Sequence, residues 1–203
     1  MEVKICGLTN VEDAQVAVAA GADYLGFILY KESPRAVTPQ QITHILSALG
    51  NGIRAVGVFV NEVPSQVEAI AKDCGLYAVQ IHGDEDAGGF VDFSIPVWRA
   101  LWVRDGGAHP DPIVWPASRY VIDAAVPGQY GGTGVAADWN EAADIAKECP
   151  VMLAGGLHPA NVAEAIRSVR PMGVDVSSGV ECDPGRKDHD AIRTFVAAAK
   201  NLK

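Results

Sequence analysis

The sequence lacks the features that mark membrane-embedded and secreted proteins. No apolar run approaches the roughly 20 residues that a helix needs to cross a bilayer. The first residues, MEVKICG, hold neither a basic segment nor a long apolar one, so we expect no secretory signal peptide. These absences predict a globular protein of the cytoplasm without a membrane partner.

Cysteine is scarce and scattered along the chain. The four cysteines are Cys6, Cys74, Cys149 and Cys182, and no two of them form a CxxC pair or another spacing typical of zinc ligands. Without a secretory signal, we expect free thiols in a reducing compartment. The sequence therefore predicts no structural zinc.

Basic residues are also fewer than acidic residues in this chain. The chain has 16 Lys and Arg against 25 Asp and Glu, a formal net charge of −9. Nucleic acids and anionic membranes attract proteins through a positive field, so neither is an expected partner. An anionic small molecule would have to be held by local backbone N–H groups and a few well-placed cations.

The chain does have a repeated alternation of short β-branched runs and helical segments, with a period of about 25 residues. The eight predicted strands are Val3–Cys6, Tyr24–Leu29, Ile53–Val60, Ala78–Ile81, Pro96–Trp102, Tyr120–Asp123, Val151–Ala154 and Gly173–Val176. The main predicted helices are Val11–Ala20, Pro39–Leu49, Pro64–Cys74, Asp138–Glu148, Asn161–Val169 and Lys187–Asn201. Between strands five and six, Pro110, Pro112 and Pro116 predict a short or degraded helix.

Eight such units without a linker predict one domain, residues 1–203, of the α/β class. The expected fold is a single (β/α)8 TIM barrel of minimal size, with its active site at the carboxyl ends of the strands. An open doubly wound sheet remains the alternative, because the alternation alone does not exclude it.

Small residues follow the last two predicted strands. Gly155 and Gly156 end strand seven, and Ser177, Ser178 and Gly179 end strand eight. Backbone N–H groups at such turns are open to a phosphate, since no side chain blocks its approach. A phosphate site is therefore expected near Gly155, Gly156, Ser178 and Gly179, although two tight turns without a ligand are the simpler alternative.

Other strand ends carry residues suited to proton transfer and binding. Cys6 could act as a base if its pKa were lowered, although taken alone it is more simply a small buried residue. Asp123 could act as a general acid if burial raised its pKa, or it could cap a loop. Arg35 could clamp a carboxylate or be a solvated charge, and His82 is a substrate contact or a polar residue of the barrel end.

A glycine-rich loop, 124–137, could close over a bound molecule. Its Gly132-x-Gly134-x-x-Ala137 superficially fits the dinucleotide fingerprint, but no strand directly precedes it and no acidic residue follows at the required distance. We therefore expect no nicotinamide cofactor. His82, Asp84 and Glu85 lack clear partner ligands elsewhere, so we expect no metal.

Taken in order, these motifs make the chain resemble the phosphoribosylanthranilate isomerases. The segments that carry the resemblance are VKICG, GF with SPR, VGVFV, VQIHGDE, ID with GGTG and DW, LAGGLHPANV, and GVDVSSGVE with PGRKD. The resemblance implies the Amadori rearrangement of N-(5-phosphoribosyl)anthranilate to 1-(2-carboxyphenylamino)-1-deoxyribulose 5-phosphate in tryptophan biosynthesis. It implies general acid–base catalysis without cofactor or metal.

Carried over by motif, Cys6 is the base and Asp123 the acid. Arg35 would hold the anthranilate carboxylate, the two glycine turns would hold the phosphate, and His82 would have a supporting role. A monomer is expected, with a homodimer as the alternative.

Two other functions remain open at this point. The related histidine-pathway isomerase acts on a phosphoribosyl compound with a similar barrel, but is expected to carry an aspartate where this chain has Cys6. An enzyme that accepts both substrates is a variant of this alternative. A phosphate-binding barrel without catalysis would have no reason to keep both Cys6 and Asp123.

Overall fold

The computed structural model describes residues 1–104, 107–123 and 139–201, with Arg104 described by its backbone alone. The strands in chain order are β1 (Glu2–Ile5), β2 (Tyr24–Ile28), β3 (Ala55–Phe59), β4 (Ala78–Ile81), β5 (Val97–Arg104), β6 (Gly107–His109), β7 (Arg119–Asp123), β8 (Val151–Leu153), β9 (Gly173–Val176), β10 (Glu181–Asp183) and β11 (Arg186–Lys187). The predicted loop 124–137 and the predicted cap Asp138 lie outside the described residues.

Eight of these strands are parallel and close into a barrel. They follow the order β4-β3-β2-β1-β9-β8-β7-β5, and pairing of β4 with β5 joins the two ends. The predicted closed barrel is therefore confirmed, and the open doubly wound sheet is wrong. The carboxyl ends of all eight strands meet on one face.

Helices connect most of the strands and cover the outside of the barrel. They are α1 (Val11–Ala20), α2 (Pro39–Leu49), α3 (Pro64–Cys74), α4 (Trp139–Ala146), α5 (Val162–Val169) and α6 (His189–Lys200). Their ends follow from local chemistry: the Asn10 side chain accepts from the N–H of Asp13, and Thr38 forms a capping box with Gln41. None of the described helices is long and apolar enough to span a membrane.

Two of the departures from the expected boundaries involve strands that the sequence did not predict. β5 continues past Trp102 to Arg104 and turns back into β6, an antiparallel strand outside the barrel. The final helix begins at His189 rather than Lys187, because Asp188 caps it and Lys187 belongs to the β10–β11 hairpin. From Gly107 to Ser118 the chain forms β6 and turns, without an α-helix.

Alternation along the strands divides the apolar residues into two layers. One face of each strand packs on the helices, where Val3, Ile5 and Phe27 belong to the large outer core. The other face points into the barrel. That inner core contains Tyr24, Val56, Ala78, Trp98, Val121, Met152 and Ala154.

Polar side chains stand above these apolar residues inside the barrel. Lys4, Gln80 and Asp175 are buried although each lies within a short apolar strand. Lys4 is directly paired with Asp175 across β1 and β9, so the two side chains share the inner face. The barrel interior thus passes from an apolar plug to a charged layer below the functional face.

Trp98 fills the inner core, and its ring meets that of Tyr24 edge-on at a centroid distance of 5.0 Å. Replacing it with alanine removes a fully buried indole, so Trp98→Ala should lower the free energy of unfolding by about 3–5 kcal/mol in urea titrations. Val91 is exposed, and Val91→Ala should stay within about 0.5 kcal/mol of the parent. Equal losses for the two variants would contradict the assignment of Trp98 to the core.

Candidate active site

A cavity of about 410 Å³ opens at the carboxyl ends of the strands. Its volume lies in the range of small-molecule sites, about 300–1,000 Å³. All eight residues singled out from the sequence line it: Cys6, Arg35, His82, Asp123, Gly155, Gly156, Ser178 and Gly179. They come from six different βα units, so only closure of the barrel brings them together.

The two-residue repeat of the strands explains which side chains face this cavity. Lys4 points into the barrel, so Cys6, two residues on, does as well. The same two-residue step leads from Gln80 on β4 to His82, which directly follows this strand. It also leads from Val121 to Asp123 on β7, and from Asp175 to Ser177 after β9.

The ammonium group of Lys4 lies behind three residues that line the cavity and uses all three of its N–H donors. It donates to Asp175 Oδ2 at 2.7 Å, to Gln80 Oε1 at 2.8 Å and to Cys6 Sγ at 3.3 Å. Burial alone would lower the pKa of Lys4, but Asp175 and Cys6 outweigh it and raise the pKa above its usual value. Lys4 is therefore a fixed buried cation.

Cys6 is 6% exposed and its thiol reaches the cavity. Burial raises the pKa of the thiol above its usual value, Asp175 adds to the increase, and the cations of Lys4 and Lys187 act against it. Gly26 lies beside the thiol on β2: a Cβ there would come within 2.7 Å of Sγ. The lowered pKa expected of a base at this position is therefore wrong: burial favours the neutral thiol, although the two cations supply positive charge for its anion.

Gln80 connects His82 to Lys4, and the ammonium group of Lys4 also contacts Cys6. Its Nδ1 is 3.0 Å from Gln80 Nε2, and its Nε2 is 3.7 Å from Asp123 Oδ2. Burial, together with the cations of Lys4 and Arg99, lowers the pKa of His82 to about 3. The ring is consequently neutral at physiological pH.

Asp123, the predicted acid, ends β7 and is 9% exposed. In the barrel, β8 and β9 separate β7 from β1, so Asp123 and Cys6 approach the cavity from different sides. This arrangement allows one group to deliver a proton while the other removes one from a different atom of the same bound molecule.

Arg35 lines the cavity and forms a bidentate ion pair with Glu181, which the sequence analysis does not predict. Its Nε and Nη2 donate to the carboxylate of Glu181 at 2.8 and 2.7 Å, and Lys187 Nζ donates to the same carboxylate at 2.8 Å. Burial alone would raise the pKa of Glu181, but the two cations outweigh it and hold the pKa below its usual value. Within the described part of the chain, Arg35 Nη1 makes no hydrogen bond.

The two turns after β8 and β9 lie side by side at the cavity wall. Gly155 and Gly156 have φ values of 76° and 65°, and Asn161 fixes the first turn by donating to the carbonyl of Gly156 at 3.0 Å. A Cβ at Gly179 would lie 1.8 Å from the carbonyl oxygen of Leu157, so only glycine fits there. Among residues 1–104, 107–123 and 139–201, no acceptor takes the N–H of Gly155, Gly156, Ser178 or Gly179.

Five residues of this site were not predicted from the sequence. They are Lys4, Gln80, Asp175, Glu181 and Lys187. A signal for the first three is present: VKIC, VQIH and VDVS each place a polar residue two positions before the residue at the strand end. Once the barrel is closed, that position is buried. The described residues contain no group of three or more His, Cys, Asp or Glu side chains placed to hold a metal ion.

Comparison with known proteins agrees with this geometry. The family model described as N-(5'phosphoribosyl)anthranilate (PRA) isomerase matches residues 3–198. An N-(5'-phosphoribosyl)anthranilate isomerase of Trichlorobacter lovleyi is 48% identical over 202 residues, which cover 98% of each chain.

Solved structures give the same relationship. Monomers of the dimeric phosphoribosylanthranilate isomerase of Thermotoga maritima superpose with a TM-score of 0.86 and 38% identity over the whole of both chains. A phosphoribosyl anthranilate isomerase in complex with reduced 1-(o-carboxyphenylamino)-1-deoxyribulose 5-phosphate gives a TM-score of 0.83 and 36% identity, again over both whole chains. The chain therefore belongs to the N-(5'-phosphoribosyl)anthranilate isomerase family.

Proposed function

We propose that the cavity isomerises N-(5'-phosphoribosyl)anthranilate in tryptophan biosynthesis by general acid–base catalysis, with Cys6 as base and Asp123 as acid. The observation that carries this proposal is their placement on different sides of one cavity whose wall also holds both glycine turns. A non-catalytic phosphate-binding barrel would not need this pair of groups.

The reaction then begins with two proton transfers from and to the protein. Asp123 gives a proton to the ribose ring oxygen, the bond between that oxygen and C1 breaks, and a protonated Schiff base remains at C1. Cys6, as thiolate, takes the proton from C2, and the electron pair of that C–H bond forms the enolamine double bond. Tautomerisation of the enolamine gives the ketone product.

Binding groups at the cavity wall hold the two ends of this substrate. The phosphate accepts hydrogen bonds from the N–H groups of Gly155, Gly156, Ser178 and Gly179. The anthranilate carboxylate pairs with Nη1 of Arg35, whose other two nitrogen donors are held by Glu181. His82 supports the acid end.

We further propose that residues 1–203 are one domain that acts as a monomer in the cytoplasm. Every residue assigned a role here lines a cavity formed within a single chain. A homodimer, the state named for the Thermotoga maritima relative, would leave this cavity complete.

Gly179 tests the phosphate site. Gly179→Ala should raise KM by about tenfold or more, because a Cβ forces the carbonyl of Leu157 and the turn apart and costs hydrogen bonds to a charged group. The inhibition constant of inorganic phosphate should rise in parallel. Gly107→Ala is the matched control, since a Cβ there meets nothing within 4 Å. Unchanged constants for folded Gly179→Ala would remove the phosphate from this turn.

The assigned acid and base are tested by turnover of phosphoribosylanthranilate. Cys6→Ser and Asp123→Asn should each lower kcat by about 10²–10⁴-fold, because each removes one proton-transfer group. Cys182→Ser and Asp73→Asn change exposed residues in the same way and should keep wild-type rates. Inactive wild type, or two variants with near-wild-type kcat, would overturn the proposed function.

A further inference from the structure

We propose that Lys4 and Gln80 are positioning residues, which lock the neutral His82 ring with its proton on Nε2 and so present an N–H donor beside Asp123. Three successive contacts cross the barrel: Lys4 with Gln80, Gln80 with His82, and His82 with Asp123. Neither Lys4 nor Gln80 needs to touch the reacting atoms for this role.

The first contact fixes the orientation of the Gln80 side-chain amide. An ammonium group can only donate, and Lys4 Nζ lies 2.8 Å from one end of that amide. This end must therefore be the oxygen Oε1. The NH₂ end is consequently directed at the imidazole ring of His82.

The second contact fixes the proton on the ring. Gln80 Nε2 carries only donors and lies 3.0 Å from His82 Nδ1, so Nδ1 must be the acceptor. A neutral imidazole has one proton, which is then on Nε2. The positive charges of Lys4, inside the barrel, and of Arg99, on the outer face of β5, disfavour a second proton.

The third contact is between His82 and Asp123, and the backbone around His82 fixes the direction in which the Nε2 proton points. Arg99 donates to the carbonyl oxygens of Ile81 and Gly83, at 2.9 and 2.7 Å, and so holds the backbone on both sides of His82. Nε2 is buried and 3.7 Å from Asp123 Oδ2, and no described atom accepts its hydrogen bond. The donor is thus poised next to the acid at the wall of the cavity.

The consequence for the reaction rests on the role proposed for Asp123. An N–H beside a carboxylate stabilises the anion, which is the form that remains once the acid has given up its proton. The same Lys4 ammonium also donates to Cys6. One buried cation therefore orders both the base and, through Gln80 and His82, the surroundings of the acid.

The tautomer is measured directly by ¹⁵N NMR of the full chain, with the His82 signals identified by their loss in His82→Asn. Between pH 6 and 8 we expect a protonated, pyrrole-like Nε2 and an unprotonated, pyridine-like Nδ1. In Gln80→Glu a carboxylate faces Nδ1 and should draw the proton there, which reverses the pattern. In Gln80→Leu, which offers no partner, the proton should divide between both nitrogens.

Kinetics then connect the tautomer to catalysis. Gln80→Glu and Gln80→Leu should lower kcat by about tenfold or more, with a smaller change in KM, since an acid–base step and not binding loses support. Gln66→Glu adds the same charge on the exposed face of α3 and should leave both kcat and the tautomer unchanged. Circular dichroism checks that the variants are folded.

Three results would overturn this proposal: a protonated Nδ1 in the wild type, an unaltered tautomer in both Gln80 variants, or an altered tautomer with unaltered kcat. Failure of the proposed function would look different, because the wild type would then show the expected tautomer and no turnover of phosphoribosylanthranilate.

Discussion

The buried ammonium group of Lys4 is the interaction on which the functional face depends. An unpaired charge inside a barrel would be strongly destabilising, so the interior around it has to supply acceptors. Asp175, Gln80 and Cys6 do so from β9, β4 and the end of β1, and each of the three ammonium N–H groups has one partner. This requirement places polar side chains from three strands at fixed positions and gives the cavity a rigid, charged floor above the apolar plug around Trp98.

The wall of the cavity is built by different means. The turns at Gly155–Gly156 and Ser178–Gly179 offer backbone N–H groups, and their shape depends on missing side chains rather than on charge. Next to the second turn, Glu181 joins Arg35 to Lys187 and fixes the direction of the guanidinium group. The proposed anchors for the two ends of the substrate are therefore separate from the groups that move protons. A barrel suits this division, because each βα unit contributes one part and closure assembles the parts.

Much of this arrangement could be predicted from sequence, for reasons that differ between residues. The alternation of strands and helices predicted the barrel, and the small residues at two strand ends predicted the open turns. Local patterns could not predict partners distant in the chain. The pairing of Arg35 with Glu181, 146 residues away, and of Lys4 with Asp175, 171 residues away, exists only after the barrel closes. For the same reason, the local sequence does not distinguish Lys4 from an exposed lysine of a short strand. Its position on the inner face of the barrel makes it the centre of the network. The sequence predicts the start of α6 two residues too early, because the β10–β11 hairpin has no strong periodic signal.

The central place of Lys4 is tested most directly by the ionisation of Cys6 with and without the Lys4 charge. The rate at which iodoacetamide alkylates Cys6, followed against pH by mass spectrometry of the Cys6 peptide, reports the fraction of thiolate. Exposed Cys182 serves as the internal reference in the same samples. Removing a cation that stabilises the thiolate raises the thiol pKa, so folded Lys4→Met should require a higher pH for half-maximal alkylation of Cys6, while Cys182 is unaffected. An unchanged or lower midpoint for Cys6 in folded Lys4→Met would contradict the central place given to Lys4.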